Sequence, residues 1–383
     1  MMINKIIPII LIMVALIVQL SSGINYVTIP VNMNEQGYGN TLIGMAMAFE
    51  IIGPLLLYRP ISIGLNKIGI IRSFILLELV RAISLLIMTY SSFYAVWVGL
   101  IFCYGLASGM VLVLVQTWLN ISISGRLKGM WIGLYSSALS CGVALGPIVL
   151  QLVPIPMHWR FAFSAVITLI PILCCVVLRV QRQAMQGVGL VRFRFAFKHA
   201  KIILVSAFVG GIGFFGLPSF LTLYGLKNGL SESEAQLLLT TFMLGSVSLG
   251  MLVSMLSSFL NRCVVVLAAV FGAVVCSVFL SLAVYAEYSV ALALLFVWGG
   301  CLGGIYGIGI TVMGERFCQQ DQMSANMSYA MMDSMGGITG LLIIGAMLDA
   351  VGSEGMTFVF VTFGTGLLIL FAYETLVPRR TFE

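Results

Sequence analysis

The sequence predicts an all-α membrane protein whose twelve transmembrane helices form two pseudo-twofold-related six-helix bundles. Three observations predict this fold class. Of the 383 residues, 61% are hydrophobic and 8% are charged, with a mean hydropathy of +1.12, whereas soluble domains have roughly 45–50% apolar and about 25% charged residues. Twelve apolar runs reach the length of about 20 residues that a spanning helix needs. Finally, positions 194 residues apart match in two spans, as expected of two similar halves.

The predicted spans follow one another with mostly short connections. Their bounds are 6–29, 41–63, 72–91, 93–116, 129–153, 159–179, 202–224, 235–256, 263–285, 288–313, 325–348 and 356–376. Apolar runs this long and continuous differ from the short alternating strands of an outer-membrane barrel, so helices are expected throughout. The apolar run after Lys5 also suits a secretory signal, but eleven further spans favour an uncleaved first helix.

Positive charge is distributed unequally between the two faces of this predicted membrane domain. Of the 19 lysine and arginine residues, 16 lie on the side that holds both termini. Arg160 and Lys227 lie on the other side, and Arg81 lies within a span. Because cytoplasmic loops carry an excess of lysine and arginine, both termini are predicted to be cytoplasmic.

A basic segment separates the two predicted halves. The stretch from Arg179 to Lys201 holds six cations and no acidic residue. We therefore predict an N-terminal bundle at 1–180, a cytoplasmic basic linker at 181–201 and a C-terminal bundle at 202–383. Phenylalanines alternate with the cations at 193–197, which favours contact with anionic lipid headgroups over nucleic-acid binding.

Glycines form a stripe along the fifth predicted span. Gly133, Gly142 and Gly146 leave bare backbone on this helix, and Pro147 follows at once. Small residues let membrane helices approach closely, and a proline inside a helix is expected to break it. The stripe therefore predicts helix packing or gating at these four residues. Packing without any transport role is the alternative.

The same stripe recurs in the second half of the chain. An offset of 194 residues relates Tyr135 to Tyr329, Gly142 to Gly336, Gly146 to Gly340, Gly105 to Gly299, and Gly109 to Gly303. One offset thus serves two different spans. It predicts that Gly336 and Gly340 pack in the second half as Gly142 and Gly146 do in the first.

These features resemble the major facilitator superfamily over nearly the whole chain. The spacing from Gly133 to Pro147 is similar to the fifth-helix antiporter signature of that family, although Leu150 and Gln151 replace its closing glycine pair. More narrowly, the chain looks like the YcaD-like branch of bacterial transporters, in the segments GIIRSF at 69–74, QTWLN at 116–120, GR at 125–126 and GLY at 133–135. The resemblance implies the major facilitator fold, a bacterial cytoplasmic (inner) membrane location and a monomer.

Ionisable side chains within the predicted spans are candidates for function, since one at the bilayer centre costs roughly 2.5–3.5 kcal/mol on insertion scales. Glu50 lies near the centre of span two with no basic residue within a helical turn. Burial without a partner disfavours the charged form of a carboxyl group. We therefore predict that Glu50 couples transport to protons. A protonated structural acid, hydrogen-bonded to a neighbouring helix, is the alternative.

Asp333, Glu78 and Arg81 are further ionisable residues in the interior of spans. Asp333 in span eleven is a second candidate for proton coupling or substrate binding. A structural role beside an arginine or a backbone donor is its alternative. Glu78 and Arg81 lie three residues apart, which places them on one helix face, so a structural ion pair is expected.

Uncharged polar and aromatic residues complete a predicted substrate cavity. The resemblance implies that spans one, five, ten and eleven face this cavity, and tyrosine and tryptophan combine an apolar body with one polar group. The candidates on these spans are Gln19, Asn25, Tyr135, Trp298 and Tyr329. Ordinary packing is the alternative for each of them.

The function predicted is secondary active transport of a small molecule by alternating access, with proton-coupled export (antiport). A uniporter or importer without proton coupling is one alternative. A non-transporting sensor on a transporter fold is another, because Asn66 replaces the aspartate that relatives carry between spans two and three. An enzyme is not expected, since the two histidines, His158 and His199, lie apart from any catalytic cluster.

The partners predicted are the substrate, the lipid bilayer and protons. The eight cysteines show no metal-ligand spacing, and no phosphate-binding loop of the GxxxxGK[ST] kind occurs in the sequence. No metal and no cofactor are therefore expected.

Overall fold

The chain folds into twelve long α-helices in the computed structural model, which describes residues 3–123, 128–153, 155–177, 193–317 and 319–376. The helices are α1 Ile3–Glu35, α2 Asn40–Ile68, α3 Ile70–Tyr90, α4 Tyr94–Ser122, α5 Lys128–Leu152, α6 Arg160–Val177, α7 Phe193–Lys227, α8 Glu232–Leu256, α9 Arg262–Ala286, α10 Tyr288–Arg316, α11 Gln319–Ala350 and α12 Glu354–Leu376. A single 3₁₀ turn, Met157–Trp159, precedes α6. No strand occurs in the ranges described.

Each of these helices corresponds to one predicted span. Eleven of them are long and apolar enough to cross a membrane. The other is α3, which carries Glu78 and Arg81 in its interior. The predicted fold class, an all-α membrane protein with twelve helices, is confirmed.

Four helices extend beyond the predicted bounds by six residues or more. α1 continues to Glu35 instead of ending at 29, and α4 continues to Ser122 instead of ending at 116. α7 begins at Phe193 instead of 202, and α11 begins at Gln319 instead of 325. Within α7, Ala200 has non-helical angles of φ −137° and ψ 38°. The preceding helical segment is held by packing of Phe195 against Phe317, with ring centroids 5.9 Å apart. Residues 181–192 of the predicted linker and the GR pair at 125–126 lie outside the described residues.

The chain contains two compact units, and the division between them passes through α7 and α8. One unit comprises Met1–Val188 with Leu221–Met243, and the other comprises Gly189–Phe220 with Leu244–Glu383. In the first unit, α1 packs on α5 and α6, α2 on α4, and α3 on both α4 and α6. In the second, α9 packs on α10 and α12, and α11 packs on α10 and α12.

Bare backbone brings α5 against α1 in the first unit. A Cβ atom at Gly142 would overlap the carbonyl oxygen of Leu16, and one at Gly146 would overlap the backbone of Gly23. Gly133 differs, because a Cβ atom there meets nothing within 4 Å. The close approach of α5 to α1 therefore involves Gly142 and Gly146 but not Gly133.

The repeated glycines make equivalent contacts in the second unit. A Cβ atom at Gly336 would overlap the carbonyl oxygen of Phe208 on α7, and one at Gly340 would lie 2.8 Å from the Cα atom of Ile212. In the same way, Gly109 of α4 meets Pro54 of α2, and its repeat partner Gly303 of α10 meets Ser246 of α8. The offset of 194 residues thus relates helix–helix interfaces in the two units as well as residue identities.

The break expected at Pro147 is wrong, since α5 continues through this residue to Leu152. A proline removes one helical hydrogen bond and crowds the carbonyl group four residues earlier, which here is that of Val143. Gly23 of α1 packs directly against this carbonyl group, where a Cβ atom would overlap it. The glycine of the neighbouring helix therefore leaves room for the displaced carbonyl group, and the helix continues.

A matched pair of substitutions on α5 tests these contacts. Gly146→Ala should lower the free energy of unfolding by about 1–3 kcal/mol, the usual cost of overpacking a tight interface. Gly133→Ala should leave stability unchanged or raise it by up to about 1 kcal/mol, because alanine is the better helix former and the site has space. Thermal unfolding of both purified variants in detergent measures the difference. Equal destabilisation by the two substitutions would contradict the contact.

Candidate functional site

The first unit contains a buried ion pair on α3. The Nη1 atom of Arg81 donates to both carboxylate oxygens of Glu78, at 3.1 and 2.8 Å, and both side chains are fully buried. Its Nη2 atom donates to the carbonyl oxygen of Val18 on α1, at 3.1 Å, and to the hydroxyl of Tyr104 on α4, at 3.2 Å. One guanidinium group therefore ties three helices together.

Hydroxyl groups extend this network along α1. The hydroxyls of Ser22 and Tyr104 are 3.3 Å apart, and those of Ser21 and Ser164 on α6 are 2.9 Å apart. The Nε atom of Arg81 has no hydrogen-bond partner in the described part of the chain. The guanidinium group thus keeps one unused donor inside the unit.

Glu50 lies on α2 beside this network. Its side chain is half-buried and makes no hydrogen bond or ion pair with any residue that the structure describes. Arg81 and Tyr26 are close enough to interact with its carboxyl group electrostatically. Its backbone packs on Gly105, the residue after Tyr104.

The proximity of Arg81 to Glu50 could not be read from the sequence, because the two residues lie on different helices. The ion pair with Glu78 leaves a cluster without net charge apart from Glu50. Protonation of Glu50 therefore changes the charge of this buried cluster by one unit.

The three predicted cavity residues of the first unit have different surroundings. Gln19 is half-buried, and its Cβ atom lies where a side chain on Gly142 would project. Asn25 is 2% exposed, and neither atom of its amide has a partner among the described residues. Tyr135 is buried in an apolar cluster and donates to the carbonyl oxygen of Leu112, at 3.2 Å. Asn25 is thus a buried amide whose hydrogen-bonding groups are not used by the described residues.

The second unit places Asp333 beside two tyrosines. Asp333 is 9% exposed and has no hydrogen bond or ion pair within the described ranges. Tyr306 of α10 and Tyr329 of α11 interact with it electrostatically. Their rings meet edge to face with centroids 5.7 Å apart, and Phe214 of α7 lies nearly parallel to Tyr306 at 6.4 Å. The result is an aromatic group around a single acid.

The members of this group differ in accessibility. Tyr329 is buried, and its hydroxyl donates to the carbonyl oxygen of Ile305, at 3.4 Å. Tyr306 is 43% exposed. Sequence reasoning missed Tyr306, because nothing in its glycine-rich context distinguishes a tyrosine that faces an acid from one that faces lipid.

Trp298 lies on α10, apart from these contacts. Its ring is fully buried and meets Phe360 of α12 edge to face, with centroids 4.9 Å apart. Its indole N–H has no partner in the described residues. The Trp298 ring therefore packs in the interior, and its indole N–H is a hydrogen-bond donor that the described residues leave unused.

Polar contacts join Leu221–Met243 to the rest of the first unit. Arg160 forms an ion pair with Glu232 at the start of α8. Lys227 donates to the side-chain oxygen of Asn40, at 2.9 Å. Further hydrogen bonds run from Gln151 to the Ser233 carbonyl oxygen and from Thr240 to the Ala144 carbonyl oxygen. Of these contacts, the bond from Thr240 to Ala144 is buried, and the more exposed ones contribute little each.

The described cysteines are scattered and unpaired, at Cys103, Cys141, Cys174, Cys263, Cys276 and Cys301. In the searched part of the chain, no three histidine, cysteine, aspartate or glutamate side chains are grouped so that they could hold a metal ion.

Comparison with solved structures identifies transporters with the same fold. The nucleoside transporter NupG is similar with a TM-score of 0.80 and 12% identity, covering 97% of this chain and 100% of that one. A bacterial homolog of the human lysosomal transporter Spinster, inward-facing and unoccupied, is similar with a TM-score of 0.76 and 14% identity, covering 97% and 98%. The E. coli fucose:proton symporter FucP has a TM-score of 0.62 and 15% identity, with coverage of 97% and 98%. Likeness at such identities shows the fold alone.

Comparison of the amino-acid sequence with protein-family models identifies the family of this chain. No curated protein matches the chain in sequence. The family model of the Major Facilitator Superfamily matches residues 11–231 and 203–381, which together span most of the chain. With the transporter fold, this match indicates a membrane transporter of small molecules rather than an enzyme. The chain therefore belongs to the Major Facilitator Superfamily.

Proposed function

We propose that the protein is a secondary active transporter that exports a small molecule in exchange for protons. The observation that carries this proposal is that a spanning helix of each compact unit holds an acid that pairs with no residue the structure describes, Glu50 on α2 and Asp333 on α11. Acids inside membrane helices are costly and typically mark proton or substrate pathways.

The surroundings of Glu50 suit proton coupling. Glu78 and Arg81 neutralise each other, so the charge of the cluster follows the protonation of Glu50. A proton on Glu50 allows a neutral cluster, and its loss leaves a negative charge beside Arg81. A transporter can use this difference to favour one conformation when protonated and another when not.

Other parts of the proposal follow from the sequence. Alternating access would move two six-helix halves, 1–180 and 202–383, about a site near the membrane centre, with 181–201 as the linker. The stripe of Gly142 and Gly146, similar to an antiporter signature, supports the direction of export. The charge distribution supports cytoplasmic termini. The resemblance to the YcaD-like branch of bacterial transporters supports a bacterial inner membrane, and the resemblance to the superfamily supports a monomer.

Proton symport is the second candidate mechanism, because one structure with the same fold is that of a fucose:proton symporter. A uniporter or a non-transporting sensor would be expected to lack any link between substrate and proton movement. These mechanisms differ in the direction in which protons move when substrate is added.

Proteoliposomes containing a pH-sensitive dye distinguish them. The panel of compounds should include nucleosides and fucose, because two of the similar structures are those of a nucleoside transporter and a fucose:proton symporter. Organic cations and aromatic metabolites complete the panel. Antiport predicts that protons move opposite to the substrate, and symport predicts movement in the same direction. Substrate flux without proton movement would contradict both, and the absence of flux across the panel would favour the sensor.

A further inference from the structure

We propose that the second unit binds the positive charge of an organic cation, a protonated or quaternary amine, between the carboxylate of Asp333 and the aromatic faces of Tyr306 and Phe214. This inference rests on the proposed function and names its substrate class. The site uses residues of α7, α10 and α11, all within the unit Gly189–Phe220 with Leu244–Glu383.

The carboxylate of Asp333 needs a positive partner that the described protein does not supply. It forms no ion pair with any described residue. Between 202 and 226, α7 has no charged side chain, and this helix packs directly on the Asp333 backbone at Gly211. The groups that face the carboxylate are Tyr306 of α10 and Tyr329 of its own helix. A buried negative charge without a cation is costly, and a bound cation would remove that cost.

The rings beside Asp333 are suited to a cation. Aromatic faces attract cations within about 6 Å of the ring centroid, with quaternary ammonium groups as a well-known case. Tyr306 keeps 43% of its surface exposed although it contacts Phe214 and Tyr329. Tyr306 therefore keeps ring surface that neither Phe214 nor Tyr329 covers.

The same carboxylate can bind a cation or a proton, but not both. A proton arriving at Asp333 removes the negative charge that holds the amine, and the amine arriving removes the need for the proton. Exclusive binding at Asp333 would therefore exchange an organic cation for a proton, and the protonation of Glu50 would select the conformation, so antiport needs both acids. Anionic substrates are disfavoured at this site, because the ionised carboxylate of Asp333 repels a second negative charge.

Binding measurements on the full-length protein in lipid nanodiscs test this assignment. The probes are tetramethylammonium, benzyltrimethylammonium and tetraphenylphosphonium, which carry a permanent charge and cover a range of sizes. At least one should bind, more weakly as the pH falls, and should release protons into a weakly buffered solution. Asp333→Asn should weaken binding at least about 30-fold, the equivalent of about 2 kcal/mol, and abolish proton release.

Variants of Tyr306 test the aromatic contribution. Tyr306→Leu should weaken binding about 3–10-fold, whereas Tyr306→Phe should retain it, because the ring face and not the hydroxyl attracts the cation. Asp349→Asn is the matched control, since Asp349 is an exposed acid on the same helix, and it should leave binding and proton release unchanged.

Three results would overturn the proposal: no binding of any probe, binding that Asp333→Asn leaves unchanged, or binding without proton release. If Asp333→Asn does not fold, the comparison of Tyr306→Leu with Tyr306→Phe decides. Failure here is distinguishable from failure of the proposed function. Proton movement coupled to a neutral substrate in proteoliposomes would keep proton antiport and exclude only the cationic substrate class.

Discussion

Replacement of Glu50 by glutamine is expected to abolish proton-driven accumulation while substrate exchange continues. Glutamine has nearly the shape of a protonated glutamic acid but cannot release a proton. A gradient of about one pH unit supplies about 1.4 kcal/mol per coupled proton, enough for about a tenfold concentration ratio. The wild-type protein should approach that ratio in proteoliposomes, whereas Glu50→Gln should accumulate no substrate.

The control for this experiment is Glu35→Gln, because Glu35 is an exposed acid at the end of α1 in the same unit. That variant should accumulate substrate as the wild-type protein does. Exchange of labelled for unlabelled substrate, measured without a gradient, shows whether Glu50→Gln still binds and translocates. Gradient-driven accumulation by Glu50→Gln at the wild-type level would exclude a coupling role for this residue.

Loss of Arg81 is expected to have the largest effect on stability. Arg81→Gln should lower the free energy of unfolding by about 3–5 kcal/mol, the usual cost of leaving one member of a buried ion pair without its partner. The substitution would strand the carboxylate of Glu78 and leave the carbonyl oxygen of Val18 and the hydroxyl of Tyr104 without their donor. Thermal unfolding in detergent, compared across variants, measures this effect.

A double-mutant cycle distinguishes the ion pair from general disruption. Glu78→Gln combined with Arg81→Gln removes both charges, so the double variant should be more stable than Arg81→Gln alone. The more exposed pair of Arg262 and Glu315, which joins α9 and α10, provides a matched control. Arg262→Gln should destabilise far less, because water solvates the remaining acid. Additive effects in the buried pair would contradict direct coupling.

The order of the helices could be predicted because the bilayer imposes it. A spanning segment must satisfy all its backbone groups and remain apolar over about 20 residues, which leaves a strong signal in the sequence. The glycine interfaces left a signal too, through the offset that relates Gly142 to Gly336. The extension of α1 to Glu35 and the early start of α7 were not predictable in this way, since helix ends outside the apolar run depend on local packing.

The surroundings of the candidate site could be predicted only in part. The two acids were identified because charges within apolar spans are conspicuous. Their neighbours were not, because helices in lipid are apolar on every face, and the pattern of apolar residues does not reveal which face meets which helix. For this reason Arg81 emerged as a neighbour of Glu50, and Tyr306 as a neighbour of Asp333, only from the folded chain.

The backbone contacts of α5 with α1 and of α11 with α7 have a consequence for the lipids around the protein. Where Gly146 lies on Gly23, and where Gly336 lies on Phe208, the gap is too narrow for even a methyl group. No acyl chain can therefore wedge between the partners of either pair. We expect the two helices of each pair to move together as one rigid body. Any conformational change within a unit would then occur in the remaining helices.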